Sequence, residues 1–178
     1  VQQNRYKTSF IMANQKLTKG SVLSGEAYYA SVHRPRITEY KPDGEYVINV
    51  VLDKENKSKA EELGLRIRTD DKGNIPGEFV TLTQRPFFGD DPVNITVMDS
   101  EKLPVPSTTL IGNGSKVNVL FDTVSYNTNG NKGINGYLKT VQVIDLIPYN
   151  PDGLEVVPGG FVAPKEEVVD TEEVAFAS

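Results

Sequence analysis

Residues 116–146 read KVNVLFDTVSYNTNGNKGINGYLKTVQVIDL, two strand patterns separated by a glycine-rich stretch. The patterns KVNVLFDTVSY (116–126) and GYLKTVQVIDLIPY (136–149) are rich in Val, Ile, Thr, Tyr and Phe, which favour strands. The intervening GNKGING (130–136) lacks the GK[ST] ending of a phosphate-binding P-loop, and no helix pattern follows it. This stretch is therefore predicted to be a flexible hairpin loop between two long strands.

Four further strand patterns precede this hairpin, and Gly, Pro, Asn and Asp clusters separate them. They are EAYYASVHRPRI (26–37), EYVINVVLD (45–53), EFVTLTQRPFF (78–88) and VNITVMDS (93–100). One helix is predicted over residues 53–64, with Asp53 as its N-cap and Gly64 at its end. Five or six mostly antiparallel strands with one short helix predict a mainly β protein with an oligonucleotide-binding (OB) barrel. A β-sandwich is the alternative fold.

The charge is distributed unevenly along the 178 residues. The formal net charge is −5, but residues 150–178 hold seven acids and one base, which leaves −6 there. The remaining residues hold 18 bases and 17 acids, a balance of about +1. The acidity that would argue against nucleic acid as a partner therefore belongs to the C-terminal end and not to the body.

Composition also predicts the domain organisation. Met12 begins a stretch typical of a natural start, so residues 1–11 are expected to be added upstream of it. Residues 1–16 together are predicted to be an N-terminal extension, disordered or added upstream. Residues 17–149 are predicted to form the OB domain. From Pro148 onward, prolines and glycines give way to an acidic run, and residues 150–178 are predicted to be a linker and a disordered acidic tail. The sequence contains no cysteine and no run of 18 apolar residues.

Catalytic patterns are sparse in this sequence. His33 is the only histidine, no nucleophile-elbow motif accompanies it, and Cys/His clusters for zinc are absent. Asp90 and Asp91 in FFGDDPVN are typical of a turn, although adjacent carboxylates also suit a metal-dependent nuclease. The nuclease is kept as an alternative, and no catalytic residue, metal or cofactor is expected.

Cations and aromatic side chains alternate in three places. They are YYASVHRPRITEYK (28–41), QRPFF (84–88) and SYNTNGNKGINGYLK (125–139). Proteins that bind single strands need both kinds of residue, because cations follow the phosphate backbone and aromatic faces stack on unpaired bases. Strands of any β protein are also rich in aromatic residues, and most of these rings are expected in the core or in cross-strand pairs.

The stretch from 93 to 146 resembles the replicative single-stranded DNA-binding proteins of short-tailed bacteriophages. In that family a V-D-S strand end leads to a hydrophobic residue, Gly-x-Gly-Ser-Lys and another hydrophobic strand. The matching positions are Val97, Asp99, Ser100, Ile111, Gly112, Gly114, Ser115, Lys116 and Val117. Tyr126, ten residues after Lys116, matches a tyrosine that the family uses in DNA contact. The resemblance covers residues 17–149 in pattern and is specific over about 93–147.

The resemblance implies an OB barrel with a helix, no enzymatic activity, and sequence-independent binding of single-stranded DNA in replication and recombination. The residues expected to contact DNA are Tyr126, Lys116, Arg34, Arg36, Arg85, Phe87, Phe88, Lys132, Tyr137 and Lys139. Of these, Tyr126 and Lys116 rest on the motif, and the others rest on composition and strand placement.

The resemblance further implies an acidic tail that competes with DNA and recruits a polymerase and a helicase-primase. The tail residues are Glu166, Glu167, Asp170, Glu172, Glu173 and Phe176. A homodimer in the cytoplasm of an infected bacterium is expected, with no membrane partner. Phe176 is followed by two more residues, whereas the family's aromatic residue is the last one. A protein-interaction or virion module is the remaining alternative.

Overall fold

The computed structural model describes residues 17–149, 151, 154 and 157–164. Its strands are β1 (Leu17–Thr38), β2 (Lys41–Val51), β3 (Arg68–Thr69), β4 (Glu78–Gln84), β5 (Phe87–Phe88), β6 (Asp91–Pro92), β7 (Thr96–Met98), β8 (Ser115–Thr128) and β9 (Asn131–Asp145). One helix, α1 (Lys54–Leu63), follows β2. None of the helical residues in these ranges forms a segment long and apolar enough to cross a membrane.

Five strands form a closed ring in the order β1, β2, β4, β9, β8 and back to β1. Neighbours in the ring are antiparallel except β4 and β9, which meet in parallel at Thr83 and Tyr137. β3 extends the sheet beside β4, and β7 lies parallel to β9 on its other side. A five-stranded ring with one parallel closure is the OB arrangement, so the predicted fold is confirmed.

β1 serves both halves of the ring because it pairs with different strands along its length. Leu17 to Ala27 pair with β8, and Glu26 to Thr38 pair with β2. Where the partner changes, the register shifts after Tyr28, and Tyr29 takes φ 50°. Beyond that point β1 and β2 continue as a two-stranded arm, here called the β1–β2 arm, which ends at the turn of Glu39 and Tyr40.

The core fills the ring with aliphatic side chains and a few aromatic ones. Leu23, Ile48, Leu82, Phe121 and Leu138 are fully buried there, one from each of the five ring strands. Alternate residues on β2 and β8 join the core cluster, as the period of two requires: Tyr46, Ile48 and Val50 on β2, and Val117, Val119 and Phe121 on β8. Packing of this kind fixes the strand register, because a slip of one residue would move the apolar set to the outside.

The helix forms where its capping signals predict it. Asp53 caps it, since its Oδ1 accepts from the Asn56 N–H at 2.8 Å, and Gly64 ends it in the left-handed conformation. Asn56 is buried, and its Oδ1 accepts from the Ser24 N–H at 3.0 Å, which ties the helix to β1. Ala60 packs into the core from the same helix.

The prediction of a flexible loop over residues 130–136 is wrong. Only Asn129 and Gly130 form the turn, and β9 begins at Asn131, with Lys132 opposite Asn127 and Gly133 opposite Tyr126. Glycine usually weakens a strand, but Gly133 and Gly136 leave room for side chains from neighbouring strands. A side chain at Gly136 would meet Leu82, and one at Gly133 would meet the ring of Tyr126.

Two terminal predictions fall on parts of the chain outside the described residues. They are the N-terminal extension up to residue 16 and the tail residues Glu166, Glu167, Asp170, Glu172, Glu173 and Phe176.

Candidate nucleic-acid interface

The tip of the β1–β2 arm lies beside the β5–β6 hairpin, and a cleft of about 320 Å³ separates them. Tyr40 and Lys41 line it from the arm, and Arg85 and Phe87 line it from the chain after β4. Tyr40 is 83% exposed and Phe88, next to the cleft, is 77% exposed. This arm cleft therefore presents rings and cations to solvent together, which stacking on a nucleic acid requires.

A second cleft, of about 450 Å³, lies at the tip of the β8–β9 hairpin. Tyr126, Lys132 and Gly133 line it, and Tyr126 lies directly opposite Gly133 in the antiparallel pair. Because Gly133 has no side chain, the Tyr126 ring packs over its backbone and stays partly exposed. This hairpin cleft brings together two of the predicted residues, Tyr126 and Lys132.

Tyr137 and Lys139 lie on the ribbon formed by β8 and β9. Tyr137 pairs with Thr83 of β4 and lies on the same face of β9 as Gly133, four residues away. Lys139 has the shortest ion pair among the predicted cations, because its Nζ lies 2.9 Å from Asp122 Oδ2. Burial alone would raise the pKa of Asp122, but Lys139 and the Gly20 N–H together hold it below its usual range. Much of the Lys139 charge is thus neutralised within the protein.

Lys116 lies at the other end of β8 from Tyr126. The two residues are ten apart, which is about 34 Å along the strand. Lys116 Nζ is 4.0 Å from Asp145 and lines a groove of about 630 Å³ that also contains Glu26 and Asp53. This groove, the largest of those described here, is therefore lined by no aromatic ring within the described ranges. The two motif-supported residues do not share a cleft, and the role of Lys116 in DNA contact stays a prediction.

The glycine–serine motif before Lys116 has a structural explanation. The Gly112 N–H donates to Ile147 O at 2.7 Å, and the Gly114 N–H donates to Ala27 O at 2.8 Å, with Gly114 at φ 92°. Ser115 Oγ is fully buried, donates to Gly112 O at 2.7 Å and accepts from the Ile147 N–H at 2.9 Å. The turn therefore fastens the start of β8 to β1 and to the chain after β9.

Arg34 and Arg36 lie in a third cleft, along the edge of β1. This edge groove, about 420 Å³, is also lined by Tyr29, His33 and Tyr149. Pairing of β1 with β8 ends at Ala27, so the groove follows a β1 edge that no other strand in the described ranges covers. It lies on the opposite edge of the β1–β2 arm from the arm cleft, which β2 borders.

Four residues that the sequence analysis did not single out also line these clefts. Tyr40 and Lys41 line the arm cleft beside the predicted Arg85 and Phe87. Tyr29 and Tyr149 line the edge groove beside the predicted Arg34 and Arg36. Tyr40 and Lys41 belong to one of the three alternating stretches, and their turn position was the available signal. Tyr29 and Tyr149 line one groove although 120 residues of sequence separate them, and no local pattern could predict that.

Arg68 is another exposed cation that the sequence did not single out. Its guanidinium lies 5.7 Å from the centre of the Phe79 ring, and its Nη1 donates to Thr81 Oγ1 at 3.2 Å. Thr81 in turn donates to Asn49 Oδ1 at 2.7 Å. These contacts run across the outer side of β2 and β4, the strands whose positions correspond to the oligonucleotide-binding face of OB barrels.

Asp90 and Asp91 lie exposed at the turn of the β5–β6 hairpin, as the turn pattern predicted. Within the ranges that the structure describes, no group of three or more His, Cys, Asp or Glu side chains could hold a metal ion. His33 lies on β1, also as predicted.

No protein-family model matches the sequence, and no curated protein sequence matches it. Solved structures do match. Gp2.5, a single-stranded DNA-binding protein encoded by bacteriophage T7, is 19% identical, with a TM-score of 0.57 over 84% of this chain and 100% of the other. The chain shares the fold of bacteriophage single-stranded DNA-binding proteins.

Two structures of the single-stranded DNA-binding protein from bacteriophage Enc34 also match this phage fold. The C-terminally truncated form is 16% identical, with a TM-score of 0.52 over 77% of this chain and 89% of that one. The form in complex with single-stranded DNA is 15% identical, with a TM-score of 0.51 over 78% and 90%. The fold implied by the sequence resemblance is thereby confirmed.

Proposed function

We propose that the protein binds single-stranded DNA without sequence preference. The observation that carries this proposal is the exposure of a ring beside a cation at two loops, the β1–β2 turn and the β8–β9 turn, here called the OB loops. Tyr40 lies beside Lys41 in the arm cleft, and Tyr126 lies beside Lys132 in the hairpin cleft. OB barrels bind oligonucleotides through these two loops and the strands between them. The likeness to phage proteins of this kind, one solved with single-stranded DNA, supports the same function.

The geometry explains how binding would be independent of sequence. Each base has an aromatic face, so a ring such as Tyr126 or Phe87 stacks on any of the four and contributes about 1–3 kcal/mol per base. Lys41, Lys132 and Arg85 would neutralise phosphates beside those rings. Neither contact reads the edges of the bases, and no chemical step is required, so the proposed role is non-enzymatic.

A mobility-shift assay with oligo-dT and a duplex of equal length tests this function. The single strand should bind more tightly, and Tyr126→Ala and Phe87→Ala should each weaken binding by about fivefold or more, if each loses at least 1 kcal/mol of stacking. Leu103→Ala is a matched control, because Leu103 is 56% exposed and lines none of the three clefts. Equal affinity for duplex would instead favour an interaction or virion module. DNA cleavage in Mg²⁺ that Asp91→Ala abolishes would favour the nuclease.

We further propose a role in phage DNA replication and recombination, inside the infected bacterial cell, with the protein acting as a homodimer. The resemblance of residues 93–146 to replicative phage proteins supports this role. Regulation by the tail is supported by the charge of −6 carried by residues 150–178, against about +1 for the remaining residues. Carboxylates of the tail would occupy phosphate sites, and Phe176 would occupy a stacking site, until DNA displaces them. The released tail would then recruit a polymerase or a helicase-primase.

Removal of residues 165–178 tests this regulatory role. The truncated chain should bind oligo-dT more tightly, since the competing anion is gone, and should no longer bind the replication proteins. Phe176→Ala in the full chain separates the ring from the charge, because it removes only the stacking contact. If truncation leaves oligo-dT affinity unchanged, the tail does not compete with DNA.

A further inference from the structure

The edge groove along β1 differs from the two OB-loop clefts in position and in composition. It is bounded by β1 from Tyr29 to Arg36, by residues 110–113 and by Tyr149. Its volume of about 420 Å³ lies within the usual range of small-molecule sites. The OB loops do not contribute to it, so it lies outside the surface that OB barrels ordinarily use.

Tyr29 is the first reason to assign this groove a ligand. Its φ of 50° lies in the left-handed region, which a bulky residue rarely adopts and which glycine adopts without strain. Its N–H donates to Asn113 Oδ1 at 2.8 Å, which holds the backbone there. The ring is 46% exposed, so packing in the core does not explain why this strained position carries a tyrosine. Strained residues of this kind are concentrated at functional sites.

The groove also has the groups that a nucleotide needs. Tyr149, which is 55% exposed, supplies a second ring. Arg34 and Arg36 are two residues apart on β1, so their side chains leave the same side of the strand, about 7 Å from each other. Rings beside paired guanidinium groups suit a base and its phosphate.

His33, which also lines the groove, has a buried polar atom without a hydrogen-bond partner. Its Nε2 is the one buried side-chain nitrogen or oxygen, among the residues that the structure describes, without a hydrogen-bond partner. Burial lowers the pKa of His33, against a smaller opposing effect of its hydrogen bond with the Thr109 backbone. The ring is therefore neutral at pH 7, and Nε2 is an acceptor.

We propose that the edge groove binds one nucleotide unit of a single strand, with its base stacked against Tyr29 and Tyr149 and its phosphate held by Arg34 and Arg36. This inference rests on the proposed function and extends it: the bound strand leaves the arm cleft, passes the tip of the β1–β2 arm and continues on the opposite edge.

A fluorescent reporter tests the groove directly, because the chain contains no tryptophan. Tyr149→Trp places an indole in the edge groove, and Tyr40→Trp places one in the arm cleft as the matched control. Added oligo-dT should quench both, which supports the proposal. Quenching at position 40 alone would overturn the edge groove and leave the proposed function standing. No quenching at either position, together with no mobility shift, would overturn the proposed function as well.

Tyr29→Gly, made in the Tyr149→Trp background, separates binding from folding. Glycine removes the backbone strain at this position, which offsets its higher entropy in the unfolded chain, so the fold should be kept while affinity for oligo-dT should fall by at least about fivefold. Unchanged affinity would contradict the proposal. It would also be overturned if the reporter at position 149 responds to deletion of residues 165–178 and not to oligo-dT, because the occupant would then be the acidic tail.

Discussion

Exposed rings in this protein are positioned by the backbone beneath or beside them. Tyr126 lies over Gly133, Tyr29 has a left-handed backbone held by Asn113, and Tyr40 lies at the turn of the β1–β2 arm. Because the backbone is already ordered, binding by these rings costs less conformational entropy than binding by rings on a mobile segment would.

Gly133→Ala should displace the Tyr126 ring, since a Cβ at that position would meet the ring carbons at 2.5–2.7 Å. We expect affinity for oligo-dT to fall about as far as in Tyr126→Ala, because both changes remove the same stacking surface. Titration of the two variants and of the double variant measures this. If the two effects are additive in the double variant, Gly133 does not act through Tyr126.

The ion pair between Asp122 and Lys139 should make stability depend on pH in the acid range. The folded-state pKa of Asp122 is lowered, so the carboxylate stabilises the fold above its unfolded pKa, and this contribution is lost as pH falls through the folded pKa. Urea unfolding from pH 7 to pH 2 should show the loss beginning below about pH 4. Asp122→Asn should flatten that part of the profile. A profile that Asp122→Asn leaves unchanged would assign the acid dependence to other carboxylates.

Secondary-structure elements in this chain are joined by short turns that have their own side-chain bonds. The turn from Gly112 to Ser115 is the clearest case, because it connects β8, β1 and the chain that leaves β9. The same turn supplies Asn113, which fixes Tyr29 in the edge groove. A motif shared with DNA-binding proteins is thus explained here by its bonds within the fold.

Ser115→Ala tests that structural role. The change removes a buried donor and leaves the Ile147 N–H without its partner, so unfolding free energy should fall by about 1–3 kcal/mol. Affinity for oligo-dT per folded molecule should stay the same. Ser107→Ala, an exposed serine in the same connection, is the control. A loss of affinity without loss of stability would instead assign Ser115 to DNA contact.

Elements with local signals are predictable from the sequence, and elements fixed by distant partners are not. The helix has its cap residues Asp53 and Gly64 within its own segment, and its bounds are confirmed. The first half of β1, from Leu17 to Gly25, contains two glycines and three serines or threonines, so its composition does not indicate a strand. This segment forms a strand because it pairs with β8 over nearly its whole length.

The same distinction applies to the candidate site. The ring and cation of the hairpin cleft, Tyr126 and Lys132, are close in sequence, and the sequence predicts both as DNA contacts. The edge groove combines Tyr29, Asn113 and Tyr149, which are far apart in sequence and line one groove only in the folded chain. The ion pair between Lys139 and Asp122 also depends on the register of β8 and β9, which cannot be predicted from the positions of charged residues in the sequence.

The barrel as a whole is close to neutral, so few cations are available for phosphates and each should be visible in the salt dependence. Lys132→Gln should reduce the slope of log affinity against log salt by about 0.7, the value for one contact on a single strand. Lys139→Gln is the matched comparison and should change it less, because Asp122 already neutralises Lys139. Titrations with oligo-dT at several salt concentrations measure both slopes. Equal changes would show that Lys139 leaves Asp122 to bind phosphate.

The ring closes through one backbone pair, Thr83 with Tyr137, supported by the Gln84 side chain, which donates to Leu138 O at 3.2 Å. All other neighbours in the ring share at least six paired residues. The junction of β4 and β9 is therefore a seam in the ring, and we expect amide protons there to exchange with solvent sooner than elsewhere in the ring. A DNA strand stacked on Tyr137 and held at Arg85 would bridge that seam, and binding would then slow amide proton exchange on both sides of it.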